Sequence, residues 1–220
     1  MFNICLACGH ESVSKAIVPV SEDEADAICP QCAAPFRFRR LPLFVITGAS
    51  GAGKSTVGLR LMKSLTTHVV LDMDVLWRPE FDTPADGYAA FRDTWLRLAK
   101  NIHQGGRSVV LLGSVIPEQI EHRPERRYFA DVYYLALTAE PDVLVARLLQ
   151  RPVWRDSGDE ATLVTMVAFN TWLRTHADRT VPPMACLDTT RSTVDETANL
   201  VRAWISEPSR GWPPGPSSAP

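Results

Sequence analysis

Eight residues from Gly48 to Ser55 match the spacing G-x-x-x-x-G-K-[ST], the pattern of a phosphate-binding loop. An apolar, partly β-branched run precedes the loop from residue 43, and a helical pattern follows it. Glycines let such a loop turn its backbone N–H groups toward an anion, and the helix that follows points its positive end at the same anion. The sequence therefore predicts a site for a nucleoside triphosphate.

Each residue type in this loop has an expected contact with the nucleotide. Lys54 is expected to reach the β- and γ-phosphates and to be catalytic, and the Ser55 hydroxyl is expected to bind Mg²⁺. We assign the nucleotide to Gly48, Ala49, Ser50, Gly51, Ala52, Gly53, Lys54, Ser55 and Thr56. ATP and Mg²⁺ are the expected cofactors, and the choice between ATP and GTP stays open.

Four cysteines near the N-terminus form a second candidate site. Cys5 and Cys8 make one C-x-x-C pair and Cys29 and Cys32 make another, with a separation typical of structural zinc sites. Four thiolates complete a closed tetrahedral shell, which has no open position for catalysis. The segment between the pairs is too short for a hydrophobic core, so zinc is expected to supply most of its folding energy. This segment resembles a zinc ribbon.

Composition narrows the class of protein. The chain has 220 residues, 45% of them hydrophobic and 22% charged, as in an ordinary soluble globular protein. Its formal net charge of −2 argues against nucleic acid as the main partner. No apolar run approaches the ~20 residues of a membrane span. Polar residues and cysteines stand where a secretory signal would be apolar, so a cytoplasmic location is expected.

The chain divides into three predicted parts. Residues 1–40 form the zinc ribbon, and Leu41-Pro42 marks the boundary to a second domain at 42–207. In that domain strands alternate with helices, which predicts an α/β fold, a parallel sheet of about five strands covered by helices on both faces. Residues 208–220 are rich in Pro, Ser and Gly, and we expect a disordered tail.

Two carboxylates stand at the end of a predicted strand. The run from His68 to Asp74 is predicted as one buried strand, in which Asp72 and Asp74 project from the same face. Ligands gather at the carboxyl edge of a parallel sheet, where the P-loop also lies. The next strand, from Ser108, ends in Gly113-Ser114 without the acid that ATPases and GTPases usually place there. Asp72 and Asp74 are therefore the expected carboxylate source.

With the P-loop and the order of elements, this D-x-D makes residues 43–207 resemble the P-loop kinases of the shikimate and gluconate kinase group. The resemblance implies a P-loop NTPase fold and an ATP-dependent transfer of phosphate to an alcohol group. It implies that Asp74 orients or deprotonates the acceptor hydroxyl and that Asp72 helps to bind Mg²⁺, although which of the two is the base stays open. The Gly-rich triplet of shikimate kinases is missing, which argues against shikimate itself.

Three arginines spaced by four look like the lid of these kinases. The resemblance implies that Arg147 contacts adenine and that Arg151 or Arg155 neutralises the transferring phosphoryl group. Thr190 and Arg191 follow the last predicted strand and resemble the loop that cups the adenine.

The acceptor site is less specific in sequence. Six residues are expected near the substrate edge in this topology: Trp77, Arg78, Gln119, Arg123, Asn170 and Trp172. Their aromatic, amide and guanidinium groups suit a small hydroxylated or anionic metabolite.

Other functions remain open. A nucleoside or nucleotide kinase keeps every motif and is favoured by a base-stacking pocket around Trp77. A non-catalytic NTP-binding regulator would use the ribbon to recognise a protein or nucleic acid. Antibiotic phosphotransferases also use P-loop folds, and the oligomeric state is not indicated.

Overall fold

The N-terminal ribbon is a small antiparallel sheet in the computed structural model, which describes residues 2–152 and 158–208. Its strands are β1 (Ala16–Pro19), β2 (Glu24–Ile28) and β3 (Pro35–Arg39), with β2 in the middle. The predicted tail lies outside the described residues from residue 209 onward.

A parallel five-stranded sheet forms the centre of the rest of the chain. Its order is β5-β6-β4-β7-β8, and every neighbouring pair is parallel. The strands are β4 (Leu43–Thr47), β5 (His68–Asp72), β6 (Ser108–Leu112), β7 (Val132–Thr138) and β8 (Ala185–Asp188). The predicted α/β class and parallel sheet are confirmed.

Helices pack on both faces of this sheet, as the alternating pattern predicts. They are α1 (Lys54–Ser64), α2 (Ala89–His103), α3 (Glu118–Glu121), α4 (Pro141–Leu149), α5 (Glu160–His176) and α6 (Val194–Ser206). Alternate side chains of β4 enter two separate cores. Val45 belongs to the core of Trp95 in α2, whereas Ile46 belongs to that of Leu61 in α1 and Trp204 in α6.

Three local expectations need correction. The strand predicted to reach Asp74 ends at Asp72, whose side chain accepts a hydrogen bond from the Asp74 N–H at 3.0 Å and caps a 3₁₀ turn, Met73–Leu76. On α2, the spacing of Phe91, Trp95, Leu98 and Ile102 predicts one apolar stripe, but Leu98 is exposed. The run Ser157-Gly158-Asp159-Glu160 predicts a capping box that starts at Ser157. The N-cap of α5 is instead Asp159, which accepts from the Thr162 N–H, and Ser157 lies outside the described residues.

The ribbon packs against α2 and the 3₁₀ turn Pro124–Tyr128. Phe2 and Phe38 meet the ring of Tyr128 edge to face, each with centroids 5.4 Å apart. The buried Lys100 ammonium lies 4.2 Å from the Tyr128 ring centroid and pairs with Glu125. The ribbon therefore completes its small core with Tyr128, which lies outside the ribbon in sequence, since the ribbon has too few apolar residues to do so alone.

Within the described ranges, no helix combines the length and the apolarity that crossing a bilayer would require.

Candidate active site

The loop between β4 and α1 needs glycine at two of its motif positions. A Cβ on Gly48 would lie 2.5 Å from the carbonyl oxygen of Leu137 in β7. Gly53, the N-cap of α1, has a φ of 100°, a left-handed conformation that side chains other than hydrogen disfavour. The two motif glycines are thus required for different reasons: Gly48 lies close to the backbone of β7, and Gly53 has a left-handed backbone conformation. Together they place the loop at the carboxyl edge of the sheet.

Lys54 lies folded against its own loop. Its ammonium donates to the carbonyl oxygens of Gly48 at 2.6 Å and Ala49 at 3.1 Å. Burial lowers the pKa of Lys54 to about 8, and the carboxylates of Asp74 and Asp72 oppose that shift. A phosphate in the loop would accept hydrogen bonds from the same ammonium in place of these carbonyls, because the phosphate is charged and the carbonyls are neutral.

Ser55 and Asp72 meet at the entrance of α1. The Ser55 hydroxyl donates to Oδ2 of Asp72 at 2.7 Å. Oxygen ligands of this kind suit Mg²⁺, which usually takes one or two protein oxygens together with phosphate oxygens and water. The donor set therefore fits the predicted Mg²⁺ ligands.

Three adjoining cavities surround the P-loop. The first, of about 260 Å³, lies between the loop, α4 and the segment after β8. Among the described residues it is lined by Gly51, Ala52, Gly53, Thr56, Val57, Arg147, Arg151, Thr189, Ser192, Val194 and Thr197. Arg147 donates to the hydroxyl of Thr189 at 3.0 Å and to its carbonyl at 2.8 Å. This cavity is where the adenine was expected.

The second cavity, of about 360 Å³, follows the loop itself. Its walls are Ser50, Gly51, Gly53, Lys54, Ser55, Thr56, Leu59, Asp74, Arg151 and Pro152. Arg151 lines both the first and the second cavity, and its lid role stays a prediction. The second lid candidate, Arg155, lies outside the described residues.

The third cavity, of about 490 Å³, lies on the other side of the loop. It is lined by Ser50, Lys54, Met73, Asp74, Trp77, Asp82, Tyr88, Phe91, Arg92, Gly113 and Ser114. Ser50, Lys54 and Asp74 belong to both the second and the third cavity. Trp77 forms an aromatic wall with Tyr88 and Phe91, at centroid distances of 5.9 and 5.2 Å.

Arg92 is a cavity residue that the sequence did not single out. Its side chain is 5% exposed, and it donates to the Ser114 carbonyl at 3.0 Å and to Oε1 of Gln119 at 3.3 Å. Burial lowers its pKa to about 10. Among residues 2–152 and 158–208 no carboxylate forms an ion pair with it, and its buried Nε has no hydrogen-bond partner there. A buried guanidinium of this kind attracts an anion.

Five of the six residues predicted near the acceptor do not line the third cavity. Asn170 is buried and clamps the backbone of Ala139 with two hydrogen bonds, of 2.8 and 3.1 Å, so its role is structural. Arg123 pairs with Asp93 on α2. Trp172 stacks on neighbours within α5, and Arg78 is exposed and does not line the cavity. Of the six residues, Trp77 lines the cavity and Gln119 supports Arg92.

The predicted adenine loop lies at the edge of the first cavity, and the assignment of Thr190 and Arg191 to the nucleotide stays a prediction. Thr190 and Arg191 do not line the first cavity, whereas Thr189 and Ser192 do. The Thr190 hydroxyl instead accepts the Glu140 N–H at 2.8 Å, which ties the segment after β8 to the start of α4.

The four cysteine sulfurs form a compact cluster. All four Sγ atoms lie within 4.8 Å of one another, with 3.7 Å between Cys5 and Cys32 and 3.8 Å between Cys8 and Cys29. A tetrahedral centre with Zn–S bonds of about 2.3 Å separates its sulfurs by about 3.8 Å. The cluster thus fits a structural zinc ion.

Comparison with known proteins bears on the part of the chain that contains the P-loop. A family model described as an AAA domain (AAA_18) matches residues 45–163, more than half of the chain. The chain belongs to this family. The match begins within β4 and includes the whole P-loop, and it confirms the predicted P-loop class.

Solved structures similar to this member of the family include kinases. A sugar kinase from Janibacter sp. shares 18% identity at a TM-score of 0.51, covering 76% of this chain and 94% of its own. A gluconokinase from Sinorhizobium meliloti shares 18% at a TM-score of 0.50, covering 75% and 91%. At this identity the similarity shows a common fold. No curated protein matches the chain in sequence.

Proposed function

We propose that the chain is an ATP- and Mg²⁺-dependent phosphotransferase that moves the γ-phosphoryl group to a hydroxyl of a small metabolite. The observation that carries the proposal is the series of three cavities around the P-loop. Ser50, Lys54 and Asp74 line both the second cavity, which we call the phosphate groove, and the third cavity. A γ-phosphoryl group in the groove would therefore lie next to an acceptor in the third cavity. Phosphoryl transfer requires donor and acceptor oxygens in line at such a junction. The kinase fold of the similar structures supports the same reading.

Each wall residue then has a chemical task. Lys54 leaves the loop carbonyls and neutralises the β- and γ-phosphates. Arg151, which lines the same cavity as Lys54, adds a second positive charge there. Asp74 orients the acceptor hydroxyl or removes its proton, since it lies where the groove opens into the third cavity. Mg²⁺, held by Ser55 and Asp72, would supply further charge neutralisation at the phosphates.

The acceptor is proposed to be hydroxylated and anionic. Among the described residues, no carboxylate pairs with the buried guanidinium of Arg92. A carboxylate or phosphate group of the acceptor would supply that anionic partner. The aromatic wall of Trp77, Tyr88 and Phe91 offers an apolar face for a ring or carbon skeleton.

A nucleoside or nucleotide kinase is the second candidate. It is favoured by the aromatic wall around Trp77, on which a nucleobase could stack, and a nucleoside monophosphate would also satisfy Arg92. A nucleic-acid-binding regulator has less support, because Arg37 and Arg39 of the ribbon pair with ribbon acids, Asp26 and Asp23.

A screen of ADP formation tests the proposal. Full-length, zinc-replete protein is incubated with Mg²⁺ and ATP and a panel of sugars, sugar acids, shikimate-like acids, aminocyclitols, nucleosides and nucleoside monophosphates. The account predicts acceptor-dependent ADP formation that Lys54→Ala abolishes, because the phosphates lose the positive charge that the loop provides. ADP formation that continues in Lys54→Ala would exclude the P-loop as the site of transfer.

A further inference from the structure

Ser114, the second residue after β6, touches both halves of the proposed site. Its hydroxyl donates to the Gly48 carbonyl at 3.0 Å and accepts a hydrogen bond from the Lys54 ammonium at 3.4 Å. Its own carbonyl accepts the hydrogen bond from Arg92. The residue thus lies between the lysine at the phosphates and the arginine at the acceptor.

The backbone on either side of Ser114 is held in place. The Gly113 N–H donates to the Ile46 carbonyl at 3.1 Å, and the Val115 N–H donates to the Thr47 hydroxyl at 3.1 Å. Both acceptors belong to β4, the strand that leads into the P-loop. The position of the Ser114 hydroxyl beside Gly48 is therefore fixed by the sheet, although the side chain itself is exposed.

The Gly48 carbonyl is shared between two donors. It belongs to a buried residue and accepts from the Lys54 ammonium at 2.6 Å as well as from Ser114. When Lys54 turns toward a phosphate, that carbonyl loses one donor. A buried carbonyl without a donor costs free energy, and that cost would be subtracted from nucleotide affinity.

We propose that Ser114 is a positioning residue: its hydroxyl keeps the Gly48 carbonyl satisfied when Lys54 leaves for the phosphates. The inference rests on the nucleotide-binding part of the proposed function. It assigns to Ser114 an effect on nucleotide affinity that acts through Lys54 and does not require contact with the nucleotide.

A double-mutant cycle on Mg²⁺·ATP binding, measured by titration calorimetry on full-length protein, tests this role. Ser114→Ala is expected to weaken binding by about 5- to 100-fold, as for a buried acceptor left without a donor. Ser114→Thr keeps the hydroxyl and is expected to bind within about 3-fold of wild type. In a Lys54→Met background no ammonium leaves Gly48, so adding Ser114→Ala should change the affinity by less than about 2-fold.

Two outcomes overturn the inference while leaving the proposed function intact. One is Ser114→Ala binding Mg²⁺·ATP as wild type does, with a melting temperature within a few degrees of it. The other is an equal loss in the wild-type and Lys54→Met backgrounds, which would indicate general damage to the loop. Absence of nucleotide binding by the wild-type chain would overturn both the inference and the proposed function.

Discussion

Ser55 donates a 2.7 Å hydrogen bond to Asp72, which joins the first turn of α1 to the carboxyl end of β5. The same carboxylate caps the turn that carries Asp74, by accepting its N–H at 3.0 Å. One side chain therefore fixes both the predicted metal ligand of the P-loop and the predicted base.

Asp72→Asn tests the metal role. The amide keeps the shape but loses the charge that favours a divalent cation, so the Mg²⁺ concentration for half-maximal activity should rise by about 10- to 100-fold. Initial rates at saturating ATP and acceptor, over a Mg²⁺ series, measure this. Asp82→Asn is the matched control, because Asp82 lines the third cavity away from Ser55. An unchanged Mg²⁺ requirement in Asp72→Asn would remove Asp72 from the metal site.

Arg92 is predicted to set the preference for an anionic acceptor. Arg92→Met should raise the KM of a charged acceptor by about 10- to 100-fold, the typical effect of losing hydrogen bonds to a charged group. The KM of ATP should change far less. The control is Arg123→Met, which removes an arginine that pairs with Asp93 instead of lining the cavity. An unchanged KM for the charged acceptor in Arg92→Met would refute this role.

One zinc ion per chain is predicted at Cys5, Cys8, Cys29 and Cys32. Elemental analysis of metal-replete protein should find it, and Cys5→Ser should lose it together with the ribbon fold. Cys186→Ser removes the cysteine in β8 and should keep the metal. Nucleotide affinity should persist in Cys5→Ser, because the P-loop is built from β4 and α1. The domain boundary at Leu41-Pro42 stays a prediction. Metal-replete protein without zinc would disprove the site.

His103 is predicted to make folding stability depend on pH. Its ring is fully buried, and burial lowers its pKa to about 4 from an ordinary value of 6.5. The unfolded chain therefore binds a proton more readily. The contribution of the neutral His103 ring to the free energy of unfolding is present above pH 6.5 and is lost as the pH falls toward 4. The free energy of unfolding should therefore fall by about 2 kcal/mol between pH 7 and 5.

Urea unfolding of wild type and His103→Leu at these two pH values measures the effect. The variant should lose about 2 kcal/mol less than wild type on acidification, and His122→Gln, which changes an exposed histidine, should behave as wild type does. An equal loss in His103→Leu and wild type would show that His103 does not titrate in this range.

Local signals in the sequence predict much of this molecule. The P-loop, the cysteine pairs and the alternation of strands and helices are short-range patterns, and the structure confirms the fold that they indicate. The run from Thr193 to Glu196 also predicts a capping box, and the structure confirms it at the start of α6, where Thr193 accepts from the Glu196 N–H within one turn.

The residues that were missed depend on tertiary packing. Arg92 lies beside Phe91 on α2, and its position three residues before Trp95 was the available signal that it shares the buried face. Asn170 looked like a ligand, but its amide matches the backbone of Ala139, which is 31 residues away in sequence. The strand end at Asp72 was misjudged because the side chain caps the following turn, a choice that residue alternation does not reveal.

The central claim is that Asp74 acts on the acceptor hydroxyl at the junction of the phosphate groove and the third cavity. The most direct test is the steady-state rate of acceptor-dependent ADP formation by Asp74→Asn, together with its Mg²⁺·ATP affinity. Asp82→Asn is measured in parallel, since Asp82 lines the third cavity but not the phosphate groove.

The account predicts that Asp74→Asn lowers kcat by about 10²- to 10⁴-fold and leaves ATP affinity near that of wild type, whereas Asp82→Asn keeps kcat within about ten-fold. Loss of Mg²⁺·ATP binding with unaffected residual turnover would make Asp74 a metal-site residue and Asp72 the better base. Unchanged kcat and ATP affinity in Asp74→Asn would contradict the claim.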